Sequence, residues 1–101
     1  MIEITSLSQF NQAKLRASAG KLTVRTSTIE RVYRVTNEEK GVTYRVTFMR
    51  GTDGRKFATC ECAGGQEGYV CKHMGAALPL HLELVLAVEA RERMQDAAKA
   101  A

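Results

Sequence analysis

Four side chains, Cys60, Cys62, Cys71 and His73, fall within a stretch of 14 residues as Cys-x-Cys, an eight-residue gap and Cys-x-His. No apolar pattern in this chain restricts its folding as tightly. Residues i and i+2 of a strand point to the same side, so Cys60 and Cys62 can face one point from a strand end. On a continuous helix the same spacing diverges. Cys71 therefore belongs just before a helix and His73 in its first turn. Ala63 to Val70, between the pairs, contains three glycines. These permit the tight reversal that returns the second pair to the first. A helix start at this point also brings free N–H groups and a partial positive charge close to the sulfurs, which stabilises thiolates.

Three sulfurs and one imidazole suit tetrahedral zinc. The competing readings fit less well. A Cys60–Cys62 disulfide closes a very small, strained ring. A redox pair more typically reads Cys-x-x-Cys, and an iron–sulfur cluster lacks its fourth cysteine. The expectation is one structural zinc ion held by Cys60, Cys62, Cys71 and His73. Four protein ligands close the shell, whereas catalytic zinc keeps an open position. No nearby carboxylate–histidine pair offers a general base, so the chain is not expected to be an enzyme. The other histidine, His81, is expected on a helix surface.

The flanking sequence predicts an α+β fold. Ser6 to Ser18 forms a short helix with Ser6 or Ser8 as cap and Phe10, Ala13 and Ala17 on an apolar stripe. Lys21 to Thr26, Thr28 to Thr36, Val42 to Arg50 and Arg55 to Cys60 read as strands. The third alternates most clearly, with Val42, Tyr44, Val46 and Phe48 apolar. In the second, Ile29, Tyr33 and Val35 share one face. Polar, glycine-containing turns at 37–41 and 51–54 make hairpins, so the strands form a small antiparallel meander of three to four strands with one buried face. Lys72 to Leu78 starts a helix. Pro79 then removes a donor and crowds the Gly75 carbonyl, so the C-terminal helix is expected to kink or break there and resume to about Ala97. The organisation expected is a single zinc-binding domain over 1–101, with an N-terminal extension at 1–20, the meander at 21–59, the metal knuckle at 60–73 and a helical part at 74–99.

A chain of 101 residues buries only a modest core, so a metal clip adds useful stability. The N-terminus lacks the basic start and apolar run of a secretory signal, and no apolar stretch is long enough to span a bilayer. Together with clustered cysteines, this predicts a reducing compartment: the cytoplasm, or the nucleus of a eukaryotic cell. No membrane or small-molecule partner is expected.

The formal charge of +4 is uneven: residues 1–59 carry eleven basic against five acidic side chains, and residues 60–101 carry four against six. A basic part ahead of the metal site fits a polyanion partner as well as it fits an ordinary solvated surface. Arg25, Arg34 and Arg45 fall on the polar phases of three successive strands. Side by side they make a basic stripe, which Lys56 continues and to which Lys72 adds charge beside the metal. Arginines on an open sheet face are also ordinary protection against edge pairing. Tyr69 either stacks on a base or, by preference, packs over the metal site. The apolar residues between Leu78 and Val88 either cover the sheet, the preferred reading, or present a groove for another chain.

Cys60-Glu61-Cys62 and Cys71-Lys72-His73, the preceding Tyr33-Arg34-Val35 and Tyr44-Arg45-Val46, and the following Met-Gly-Ala-Ala-Leu resemble the SWIM zinc-finger family. All four ligand positions match without substitution. The specific likeness spans roughly residues 57–78, with the strands as a looser lead-in. It implies a zinc-binding module for DNA or protein contacts, of the kind that accompanies helicase-like ATPases, transposase-derived proteins and recombination factors. None of those larger domains fits in this chain, so the resemblance implies a stand-alone nucleic-acid-binding accessory protein, with DNA as the expected polymer. The alternative is an adaptor joining a larger DNA-processing complex by protein contacts.

Overall fold

A computed structural model describes the backbone of residues 1–100 and the side chains of residues 1–96. Its centre is a five-stranded antiparallel sheet of order β1-β5-β4-β3-β2. The strands are β1 (Ile2–Ile4), β2 (Leu22–Thr26), β3 (Val32–Asn37), β4 (Val42–Arg50) and β5 (Lys56–Cys60). β2 to β5 form the meander that alternation predicts. The fifth strand was not expected: three residues of the N-terminal segment pair with the outer edge of β5, Ile2 opposite Ala58 and Ile4 opposite Lys56. β1 and β2 therefore lie on opposite edges, and the chain between them crosses one face of the sheet.

That crossing is a 3-10 turn, Leu7–Phe10, followed by helix α1 (Asn11–Ala19). The Gln9 side-chain oxygen accepts the backbone N–H groups of Thr5 and Ser6 at 2.7 and 2.9 Å, fastening the turn's start. Phe10 and Ala13 are buried, as their spacing predicts. A short helix α2 (Ala63–Gln66) follows β5, and a long helix α3 (Lys72–Ala100) ends the described chain.

The helix does not break at Pro79 as expected; it runs through it. Pro79 is exposed, whereas Leu78 and His81 on either side of it are buried. Packing on both sides holds the helix across one lost hydrogen bond, and tertiary burial overrides local propensity.

Residues of alternate phase from β3, β4 and β5 fill the core beneath α1 and α3: Tyr33, Val35, Val46, Phe48, Ala58 and Cys60 meet Phe10, Met74, Ala77 and Leu78. The two helices approach closely at Gly75, where an added Cβ would lie 2.5 Å from the Ala13 carbonyl carbon and 2.7 Å from the Lys14 nitrogen. Only a residue without a side chain permits that crossing.

The expected single face for Ile29, Tyr33 and Val35 is corrected. Tyr33 and Val35 are buried, but Ile29 is 59% exposed and lies before the strand. Arg31 intervenes with φ of +68°, which reverses the chain direction and takes Ile29 out of phase. His81 is also not a surface residue. It is 9% exposed, stacked on Phe48 with ring centroids 4.2 Å apart, and hydrogen-bonded through Nδ1 to the Tyr33 hydroxyl at 2.9 Å.

Only the first turns of α3 cover the sheet. Leu80 and Leu82 pack on the rim of the core, but Leu84, Leu86 and Val88 are exposed. The expected cover from Leu78 to Val88 therefore stops at about Leu82, and the helix projects beyond the sheet of a molecule 53 Å long. No described helix is long and apolar enough to cross a membrane.

Candidate metal centre

The four predicted ligands meet at one end of the sheet. Cys60 is the last residue of β5, Cys62 precedes α2, Cys71 precedes α3 and His73 is in the first turn of α3. One ligand atom from each lies within 4.8 Å of every other. A tetrahedron with bonds of about 2.3 Å to sulfur has edges of about 3.8 Å, so small side-chain adjustments close these atoms on one ion.

Two features fit the group to a zinc ion. First, His73 is buried, and its Nδ1 is the one buried side-chain nitrogen or oxygen without a hydrogen-bond partner among the described residues. A buried imidazole nitrogen left unpaired costs about 1–3 kcal/mol, and coordination removes that cost. The Tyr44 ring, 4.7 Å away between centroids, packs against the imidazole and fixes it. Second, a backbone donor reaches the sulfurs: Gly65 N–H donates to Cys62 Sγ at 3.3 Å. This is the kind of donor expected around a zinc thiolate.

The thiols also share charge in a way that prepares the site. The neighbouring Cys60 thiol, with His73, holds the Cys71 thiol below its ordinary range despite burial. The same neighbour, with burial, pushes Cys60 up. Metal binding releases the thiol protons that remain. The Cys3His cluster fits one structural zinc ion.

The reversal between the pairs is tighter than a plain glycine loop. Residues 63–66 make one helical turn, and Gly68 then takes φ of +88°. Gly65 is required for a different reason: a Cβ there would lie 2.6 Å from the Cys60 carbonyl oxygen. Tyr69 does not pack over the metal site as preferred; it is 67% exposed at the loop's tip. The neighbouring Val70 carbonyl accepts from Arg16 at 2.9 Å, which ties the loop to α1 and leaves the ring outside.

The predicted basic residues divide between two sides of the sheet. Arg25 pairs opposite Arg34, and Arg34 opposite Arg45, on the face that carries no helix. Lys56 is not in this row. It pairs with Arg50 and Ile4, in phase with Ala58 and Cys60, so it belongs to the opposite, helix-covered face. The expectation failed because β5 is displaced along β4: the residue opposite Arg45 in that register is Glu61, whose N–H donates to the Arg45 carbonyl at 3.3 Å. Lys72 is the first residue of α3 and belongs to the helical layer, not to the row.

No curated protein and no solved structure matches the chain. The family model of the SWIM zinc finger matches residues 33–78, from the start of β3 through the ligands to the buried part of α3. With its Cys-x-Cys and Cys-x-His ligands converging on one buried point, this segment is a SWIM zinc finger with the donor set for one zinc ion.

Proposed function

We propose that the chain is a nucleic-acid-binding accessory module, with DNA as the favoured polymer, and that it performs no catalysis itself. The observation that carries this reading is the row Arg25–Arg34–Arg45 on three adjacent strands of the uncovered face. Like charges directly opposite one another destabilise a sheet. Among the described residues, Arg25 and Arg34 have no acidic partner. A bound polyanion supplies the missing counter-charge.

The surroundings support the same ligand. Thr23, Thr36 and Thr43 form a parallel row on one side, and Thr47 and Thr59 flank the other. Arginines offer forked donors to phosphate and threonines offer hydroxyls. The row covers two strand spacings, about 10 Å, so it engages only two or three phosphates. Zinc serves by holding the sheet end and α3 in place, and its closed shell is the reason for proposing no enzyme activity.

The test is binding of single-stranded DNA across a salt series. Two or three phosphate contacts give a log–log slope between about −1.4 and −2.1, and Arg34→Glu with Arg45→Glu removes binding. No binding at 0.05 M salt, where the screening length is about 14 Å, or binding unaffected by the double variant, overturns the reading.

The adaptor reading has its own observation. Ile29, Leu84 and Val88, with Tyr33 and His81 beneath them, line a groove of about 390 Å³ where α3 leaves the sheet. An apolar groove of this kind fits a segment of another protein. Binding of a protein partner that is insensitive to salt, with no retention of DNA, favours this second reading.

A further inference from the structure

The arginine row ends on an acid, and that acid is held by the metal site. Cys60 and Cys62 face the ion, so Glu61 between them faces the other side of the sheet. It arrives in register with Arg45. Its carboxylate oxygen accepts the Arg45 backbone N–H at 2.8 Å and lies 3.6 Å from the Arg45 Nε. Its own carbonyl accepts from the Gln66 side chain at 2.9 Å, which ties it to α2. Glu61 and Arg45 both remain about half exposed, at 54% and 58% of the side chain, so a solute anion can reach either.

The groove on this face is lined by Arg25, Arg34, Arg45, Thr36, Thr43 and Glu61 among others. Its charge is graded. The β2 end has unpaired guanidinium groups, and the β5 end has a carboxylate already lying against the third arginine.

We propose that Glu61 is a built-in rival for the anion: it occupies Arg45 as a phosphate would, and confines a bound polyanion to the Arg25–Arg34 end of the row. This deepens the nucleic-acid reading and rests on it for the identity of the polymer, but the competition at Arg45 holds for any phosphate. The neighbouring ligands Cys60 and Cys62 fix Glu61 in place, so the metal sets where the basic track stops.

Glu61→Gln removes the charge and keeps an oxygen for the Arg45 N–H. Wild-type protein should bind single-stranded DNA with a salt slope of about −1.4, from two contacts, and the variant with about −2.1, from three. At 0.05 M salt the added contact raises affinity roughly eightfold if the two proteins bind equally at 1 M. Native mass spectrometry should give one zinc per chain in both. A slope and affinity unchanged by the substitution, with zinc retained, overturn the proposal.

A second measurement does not depend on DNA. Inorganic pyrophosphate is titrated into each protein while the arginine Nε–H resonances are followed by NMR. In the wild type the Arg25 and Arg34 signals should move, with Arg45 responding only in Glu61→Gln. Equal movement of Arg45 in both proteins refutes the competition even if DNA binds. Absence of DNA binding by both proteins, with the expected pyrophosphate pattern, refutes the nucleic-acid reading and leaves the role of Glu61 standing.

Discussion

Gly75→Ala sets two effects of opposite sign against each other. Alanine is the better helix former, so propensity alone stabilises α3 by up to about 1 kcal/mol. Position 75 lies in the first turn of the helix, where that gain is at its smallest. Against it stands the contact with α1. The added methyl would meet the Ala13 carbonyl carbon at 2.5 Å, the Ala13 oxygen at 2.7 Å and the Lys14 nitrogen at 2.7 Å. All three are backbone atoms, so no rotamer change relieves the clash. The helices must separate by about 1 Å to restore ordinary carbon contacts of about 3.5 Å.

Separation loosens Phe10 and Ala13, which are among the most buried residues of the core. Overpacking typically costs about 1–3 kcal/mol, and a clash confined to backbone belongs at the upper end. The net expectation is a loss of about 2 kcal/mol. For a chain near 100 residues that lowers Tm by roughly 8–16 °C. Thermal unfolding of zinc-saturated protein by circular dichroism reads this directly. Gly64→Ala is the control, because its Cβ would meet only Cys71 Cβ at an ordinary 3.9 Å. If Gly75→Ala raises Tm, propensity has outweighed packing and the close helix crossing is refuted.

Two further outcomes follow from buried groups. Burial, with the Arg31 and Lys56 charges nearby, holds the His81 imidazole below its ordinary pKa. The unfolded chain therefore takes up this proton first as pH falls, so its stabilising contribution is complete above about 6.5 and is lost below it. Tm should decline from pH 7.5 to 5.5 while zinc content, measured in parallel, stays at one ion; a flat profile with zinc retained contradicts this. Chelation of zinc should lower Tm, because the free energy of binding the ion is part of the folding free energy. An unchanged Tm after verified removal of the ion contradicts a structural role.

The metal site was legible because its information is local. Cys60, Cys62, Cys71 and His73 specify their geometry by spacing, and the change from a period of two to a helical turn falls where those spacings require it. β4 was legible for a similar reason: nine residues of alternation bounded by glycine turns leave little choice of register. What escaped was decided by partners distant in sequence. β1 is Ile-Glu-Ile, an alternation of three residues too short to mark a strand alone, and it becomes one because β5 offers it an edge. His81 looked like a surface residue because nothing near it in sequence announces Tyr33 and Phe48, whose rings enclose it. Pro79 looked like a break because the packing of Leu78 and His81 is invisible to a local rule.

Lys56 and Glu61 show how much depends on register. Both are in or next to β5, and both are charged. Reading the strands in series continued the arginine row into Lys56. The observed pairing of Val46 with Cys60 fixes the phase instead, and it does so at the metal site. With Cys60 turned to the ion, Lys56 must share its face and Glu61 must take the other. The residue that ends the basic row is therefore acidic, for the same reason that Cys60 and Cys62 can share one ion. Coordination and the charge pattern of the far face are two consequences of one alternation. A one-residue slip of β5 against β4 would lose both, which makes the zinc ion a register lock for the surface proposed to meet the nucleic acid.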